Sequence, residues 1–211
     1  MAQEEGDNRP QLHPAEGRGY RELYAACRHL LERWKRLGDA VDDTPFAQTL
    51  TGAAGYVEEL LGELEPRTAR YDLHGKPSAQ GLGARIGDAR GLVLDKSLDT
   101  GPAVRLAVLD IEHIVTLLLQ LSRMAKVRTD ENLRDFAMHW AKRLRPVVGQ
   151  VRSAAVALGD DPDRVAKRLD DSPVGQAVHR AGWALGTLGE WLDRRAAGGD
   201  EPEPEEEAGK A

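Results

Sequence analysis

From Tyr20 onward the apolar residues Tyr20, Leu23, Cys27, Leu30, Leu31, Trp34 and Leu37 recur at steps of three and four. At 3.6 residues per turn that spacing returns to one face, so it predicts a helix with a single buried stripe, and Gly38 is its expected stop. A second stripe, Phe46, Leu50, Ala53, Val57, Leu60, Leu61 and Leu64, follows the phrase DDTPFAQTL, and Pro66 is expected to close it. Within the phrase, Thr44 offers an oxygen to a free backbone N–H, and Pro45 suits the first helical position because it has no N–H to lose. Asp42 and Asp43 add negative charge at the positive helix end. The phrase returns as DDSPVGQAV from Asp170, with Ser172 and Pro173 in the same places and Val174, Val178, Ala181, Leu185, Leu188 and Leu192 as the stripe of a last helix. Laid over one another without gaps, 43–64 and 171–192 share Asp43, Pro45, Gln48, Ala53, Leu60 and Leu64. Both are helix starts of one design, reached by duplication of a hairpin or by convergence on a good cap.

Three further segments lie between. Residues 79–98 keep a helical period through Leu82, Ile86, Ala89 and Val93, but Gly81, Gly83, Gly87 and Gly91 each weaken it by about 1 kcal/mol relative to Ala, so helix and loop compete there. Pro102 to Lys126 is the most apolar helix and is expected to be central. Thr129 then starts a long helix to about Leu158, with Leu133, Phe136, Trp140, Leu144, Val147, Val148 and Val151 inward, and a short helix from Pro162 to Leu169 leads to the last. Short links between long amphipathic helices turn neighbours antiparallel. The expected fold is therefore all-α: an antiparallel bundle of five or six helices in one domain, 19–197, with a flexible arm at 1–18 and a disordered acidic tail at 198–211.

Composition agrees with helices, since aromatic residues are 5% of the chain and β-branched and aromatic side chains favour strands. The net charge of −6 is concentrated: 200–211 hold six acids and one lysine, which leaves the rest near −1. A body so nearly neutral has little to set against phosphates, which ranks nucleic acid below protein as a partner. The apolar run AVRLAVLDIEHIVTLLLQL is broken by Arg105, Asp110, Glu112 and His113, so no membrane span is expected. The first residues, MAQEEGDNRPQLHP, lack the basic and apolar parts of a secretory leader. Cys27 is the only cysteine, so no intramolecular disulfide forms and a cytoplasmic setting fits. Its neighbour His29 points about 200° away around the helix, which argues against an activated thiol. Arginine far outnumbers lysine, as in a GC-rich bacterial genome.

Asp110 and His113 are the foremost candidates for chemistry. They lie three residues apart on the face of Leu106, Leu117, Leu121 and Met124, where an acid and an imidazole must be paired or hydrogen-bonded. One reading is a metal or ligand site, with His139 of DFAMH as a further donor; such sites need a second acid–histidine pair, which the sequence does not supply. The other is a structural pair that meets an arginine from a neighbouring helix and fixes register. GLGARIG lacks the preceding strand that a dinucleotide loop needs. Residues 162–192 have the outline of a divergent helix-turn-helix, with Asp170 at the usual turn glycine and few basic residues on the second helix. Arg123, Lys126, Arg128, Lys142, Arg143 and Arg145 form a basic cluster interrupted by Asp130, Glu131 and Asp135. Trp183 falls off the last stripe between Gly182 and Gly186, where a large ring with small neighbours suits contact with another chain.

These observations point to a non-enzymatic helical-bundle protein, without a cofactor, that binds another protein or itself as a homodimer, with Gly182, Trp183 and Gly186 as the contact. A ligand or metal bundle at Asp110, His113 and His139, and a DNA-associated regulator, are the alternatives.

Overall fold

The computed structural model describes residues 12–42, 44–71, 73 and 99–169. The described helices belong to Met1–Leu169, the first of two units into which the chain divides. Expectations for 79–98, for the second phrase at Ser172 and Pro173, for the last helix, for the residues before 12 and for the acidic tail lie outside the described residues.

Helix α1 (Pro14–Ala40) begins six residues ahead of the apolar stripe, inside the segment expected to be an arm. The reason is a reciprocal cap. Glu16 Oε2 accepts the His13 N–H at 2.8 Å, His13 Nδ1 accepts the Ala15 N–H at 3.2 Å, and Pro14 occupies the first helical position. Gly38 does not stop the helix, which continues to Ala40 and caps on Val41. Leu37 and Val41 are buried on either side of that glycine, and their packing outweighs its weak propensity.

Helix α2 (Pro45–Arg70) starts as its sequence predicts: Thr44 Oγ1 accepts the Ala47 N–H at 3.1 Å and donates to the Val41 carbonyl at 2.7 Å. Pro66 fails to close it. A proline inside a helix costs about 3 kcal/mol, but the turn beyond it is held from outside. The Arg67 guanidinium lies 4.3 Å from the centre of the Phe136 ring, its Nη1 donates to Asn132 at 2.6 Å, and Thr68 is buried.

Helices α3 (Thr100–Val127) and α4 (Glu131–Ala157) are joined by a tight turn. Its bonds are those of a Schellman motif: the Asp130 N–H reaches the Ala125 carbonyl at 2.9 Å and the Thr129 N–H reaches Lys126 at 3.3 Å. The left-handed position of that motif is held by Thr129, at φ 58°, a conformation that costs a residue with a Cβ about 1–2 kcal/mol. Asp130 then caps α4 by accepting the Leu133 N–H at 2.9 Å. Thr129→Gly is expected to raise stability by about 0.5–1 kcal/mol, the relief of strain less the extra freedom of the unfolded chain; urea denaturation measures it.

A 3-10 turn (Leu158–Asp160) leads into α5 (Pro162–Ala166), which is shorter than its sequence suggests. Asp161 caps it, and the hydrogen bond from the Arg164 backbone, with help from the Arg164 side chain, holds the Asp161 carboxyl below its usual range. The helix ends because Lys167 turns extended and its carbonyl accepts both the Thr100 N–H and the Thr100 Oγ1–H, each at 2.8 Å. Beside this contact Asp99 and Arg168 form an isolated antiparallel bridge. The described residues contain no strand.

Buried residues alternate at four and three on every long helix. They are Tyr20, Leu23, Cys27, Leu30, Trp34 and Leu37 on α1, and Phe46, Leu50, Ala53, Val57, Leu60 and Leu64 on α2. On α3 they are Ala107, Ile111, Ile114, Leu118, Leu121 and Ala125, and on α4 Leu133, Ala137, Trp140, Leu144, Val147 and Val151. All belong to one continuous core. Cross-helix contacts give the directions. Gly19 lies against Leu121 while Arg33 meets Asp110, so α1 and α3 run oppositely. Glu63 meets Trp140 and Arg67 meets Asn132, so α2 and α4 do too. No helix of the described residues is long and apolar enough to cross a membrane.

Candidate functional site

Asp110 and His113 sit at the edge of the α3 seam, and each is engaged by α1. Arg33 Nη1 donates to both carboxylate oxygens of Asp110, at 2.8 and 3.0 Å, with the two side chains 26% and 24% exposed. His113 is half exposed, with Nε2 3.5 Å from Glu22 Oε1. His139, on α4, is exposed and stands edge-on to the Trp140 ring at 5.6 Å. These three do not form a common donor set, and among the described residues no group of three or more His, Cys, Asp or Glu is placed to hold a metal ion. What Arg33 and Asp110 do is join α1 to α3. Asp110→Ala, which leaves the guanidinium without that carboxylate in a half-buried setting, is expected to cost about 1–3 kcal/mol in urea denaturation. Replacing both partners, Arg33→Met with Asp110→Leu, should recover most of it.

Cys27 is wholly buried in the core, and burial pushes its thiol up to about 12. Tyr20 is buried with it and its hydroxyl is raised above the usual phenol value, chiefly by the same loss of solvent. In the basic cluster, Arg143 pairs with Glu59 and Arg128 with Glu16, so part of that charge is already answered within the fold. Gly182, Trp183 and Gly186, along with 170–192 of the helix-turn-helix outline, lie outside the described residues.

A different feature stands out at the start of α3. Its first turns, the end of α4 and α5 border an open groove of about 760 Å³, lined by residues that include Val104, Val108, Leu109, Ala155, Val156 and Val165. Gly101 allows α5 to come close, since a Cβ there would lie 2.7 Å from Val165 Cγ1. Leu109 is 61% exposed and Val156 73%, both well above what a core-facing aliphatic shows. Among the described lining residues the charged ones are Arg105 and Arg152, with no acid. Arg152 is paired with Glu112, whereas the Arg105 guanidinium makes no hydrogen bond or ion pair with the described residues.

The periodicity of the buried stripes does not point to this groove, although the chain carries a signal for it. Pro102, Leu106 and Leu109 form a second apolar row on α3, at steps of four and three, beside the Ala107–Ile111–Ile114 seam. A helix apolar on two rows has more to cover than one neighbour covers. Apolar lining, two exposed aliphatic side chains and arginine at the margin suit the binding of an amphipathic surface; they offer no nucleophile or acid–base pair. Comparison with protein-family models, with curated proteins and with solved structures finds no match for this chain.

Proposed function

We propose that the chain is a cytoplasmic, non-enzymatic helical-bundle interaction protein, and that its groove between α3, α4 and α5 receives an amphipathic helix of a partner protein. The observation that carries this is the exposure of Leu109 and Val156 in the lining of one apolar groove. Burying an aliphatic side chain of that size contributes about 1.5–3 kcal/mol, so two of them side by side supply a useful part of a docking energy. A partner helix meets such a groove with apolar anchors at every third or fourth residue. The alternation of buried residues on four long helices supports a rigid antiparallel bundle as the platform.

The test uses the full chain and a labelled helical peptide of about eighteen residues, long enough for five turns, with leucines on one face. Fluorescence anisotropy should show saturable binding, weakened about tenfold or more by Leu109→Asp, a substitution at an exposed site that should leave the helical circular dichroism unchanged. Equal binding by wild type and variant, or none by either, overturns the proposal. Light scattering covers the other occupant: a concentration-dependent dimer that Leu109→Asp disperses would place a second copy in the groove and overturn the foreign-partner reading.

A further inference from the structure

We infer that the partner helix carries a carboxylate beside its apolar anchors, placed to meet Arg105; this rests on the docking reading above. The two arginines of the groove differ in state. Arg152 already has Glu112, while Arg105 has no partner among the described residues and the described lining holds no acid to supply one. Arg105 is also held close to the groove: its Nη1 lies 3.6 Å from the position of a Cβ on Gly101, the residue on which Val165 of α5 rests. A helix seated against Val165 and Leu109 therefore brings its flank to the guanidinium, whose planar fork of donors matches a carboxylate. Docking would remove water from around that cation, so an acidic flank is rewarded, and a lysine in its place is penalised by like charge. The chain as a whole carries −6, and long-range attraction would steer a basic peptide towards it. A preference for the acidic peptide must therefore arise locally, which makes it diagnostic.

Two peptides with identical leucine anchors, one with glutamates and one with lysines along the flank, are titrated against the full chain by fluorescence anisotropy. The glutamate peptide is expected to bind about tenfold more tightly at low salt, with the gap narrowing as ionic strength rises. Arg105→Glu should invert the preference. Arg123→Glu changes the net charge equally from an exposed site outside the groove lining and should leave the preference as it was. If both peptides bind alike and Arg105→Glu changes nothing, the carboxylate is wrong while the docking reading stands. Inversion by Arg123→Glu as well would reduce the effect to net charge and overturn the inference. If neither peptide binds, the docking reading itself is lost, and the inference with it.

Discussion

Trp140→Ala is expected to lower the free energy of unfolding by about 3–5 kcal/mol, among the largest losses a single truncation of this core should produce. The ring is wholly buried on α4, its Nε1–H donates to Glu63 Oε2 at 3.0 Å, and the Arg143 guanidinium lies 4.8 Å from its centre. Alanine would leave a cavity between α4 and α2, take the donor from Glu63 and strip one face from Arg143, which also reaches Glu59 and Tyr56. Against a total stability of about 5–15 kcal/mol for ordinary domains, such a loss moves the urea midpoint far towards water. Trp140→Phe separates the contributions: most of the packing remains while the hydrogen bond to Glu63 goes, and the cost should fall to about 1–2 kcal/mol. An unchanged midpoint for the alanine variant would mean that α4 does not pack as described.

Thiol labelling is expected to show the second large effect. Cys27 lies wholly within the core and its thiol is pushed up to about 12 by loss of solvent, while the reactive species is the thiolate. At neutral pH the native thiol is therefore both covered and protonated. Reaction with Ellman's reagent must wait for opening of the core, and its rate should be lower than in urea by a factor of about 10³ or more. A native rate within tenfold of the unfolded one would refute the burial. The same shift has a sign in pH. The unfolded thiol loses its proton near about 8.5 and the folded one keeps it to about 12, so between those values the unfolded state binds fewer protons. Stability contributed at Cys27 is thus fully present below about 8.5 and is lost as pH rises above it.

Which parts of the fold were legible from sequence follows from how local their causes are. The Thr44 cap and Pro45 were readable because the bond to Ala47 closes within three residues. The apolar alternations of α1 and α2 were readable because a helix repeats itself. The stops at Gly38 and Pro66 misled, because in both cases the next turn is held by contacts made elsewhere: Val41 in the core, and Arg67 on Phe136. The α1 start at Pro14 was hidden by a histidine in a capping place usually taken by serine, threonine or aspartate. At Asp110 and His113 the spacing identified two polar groups beside an apolar face and called for a partner such as an arginine from a neighbouring helix, which Arg33 supplies to Asp110. The residues that face them, Arg33 and Glu22, belong to α1 and are set by how α1 slides along α3, which no spacing within α3 contains. The groove was missed for a different reason: Leu106 was counted with the face of Leu117 and Leu121, while Leu109, the side chain left exposed, was not weighed at all.

The clasp of Thr100 on Lys167, with Asp99 beside Arg168, has a consequence for how the molecule loosens. It brings the beginning of α3 and the end of α5 to one point, so the intervening stretch is a closed ring of chain rather than a strand with two loose ends. Fraying, which ordinarily starts independently at each helix terminus, is here a joint event. The first turn of α3 and the whole of α5 let go together or stay together, and with them goes one wall of the groove.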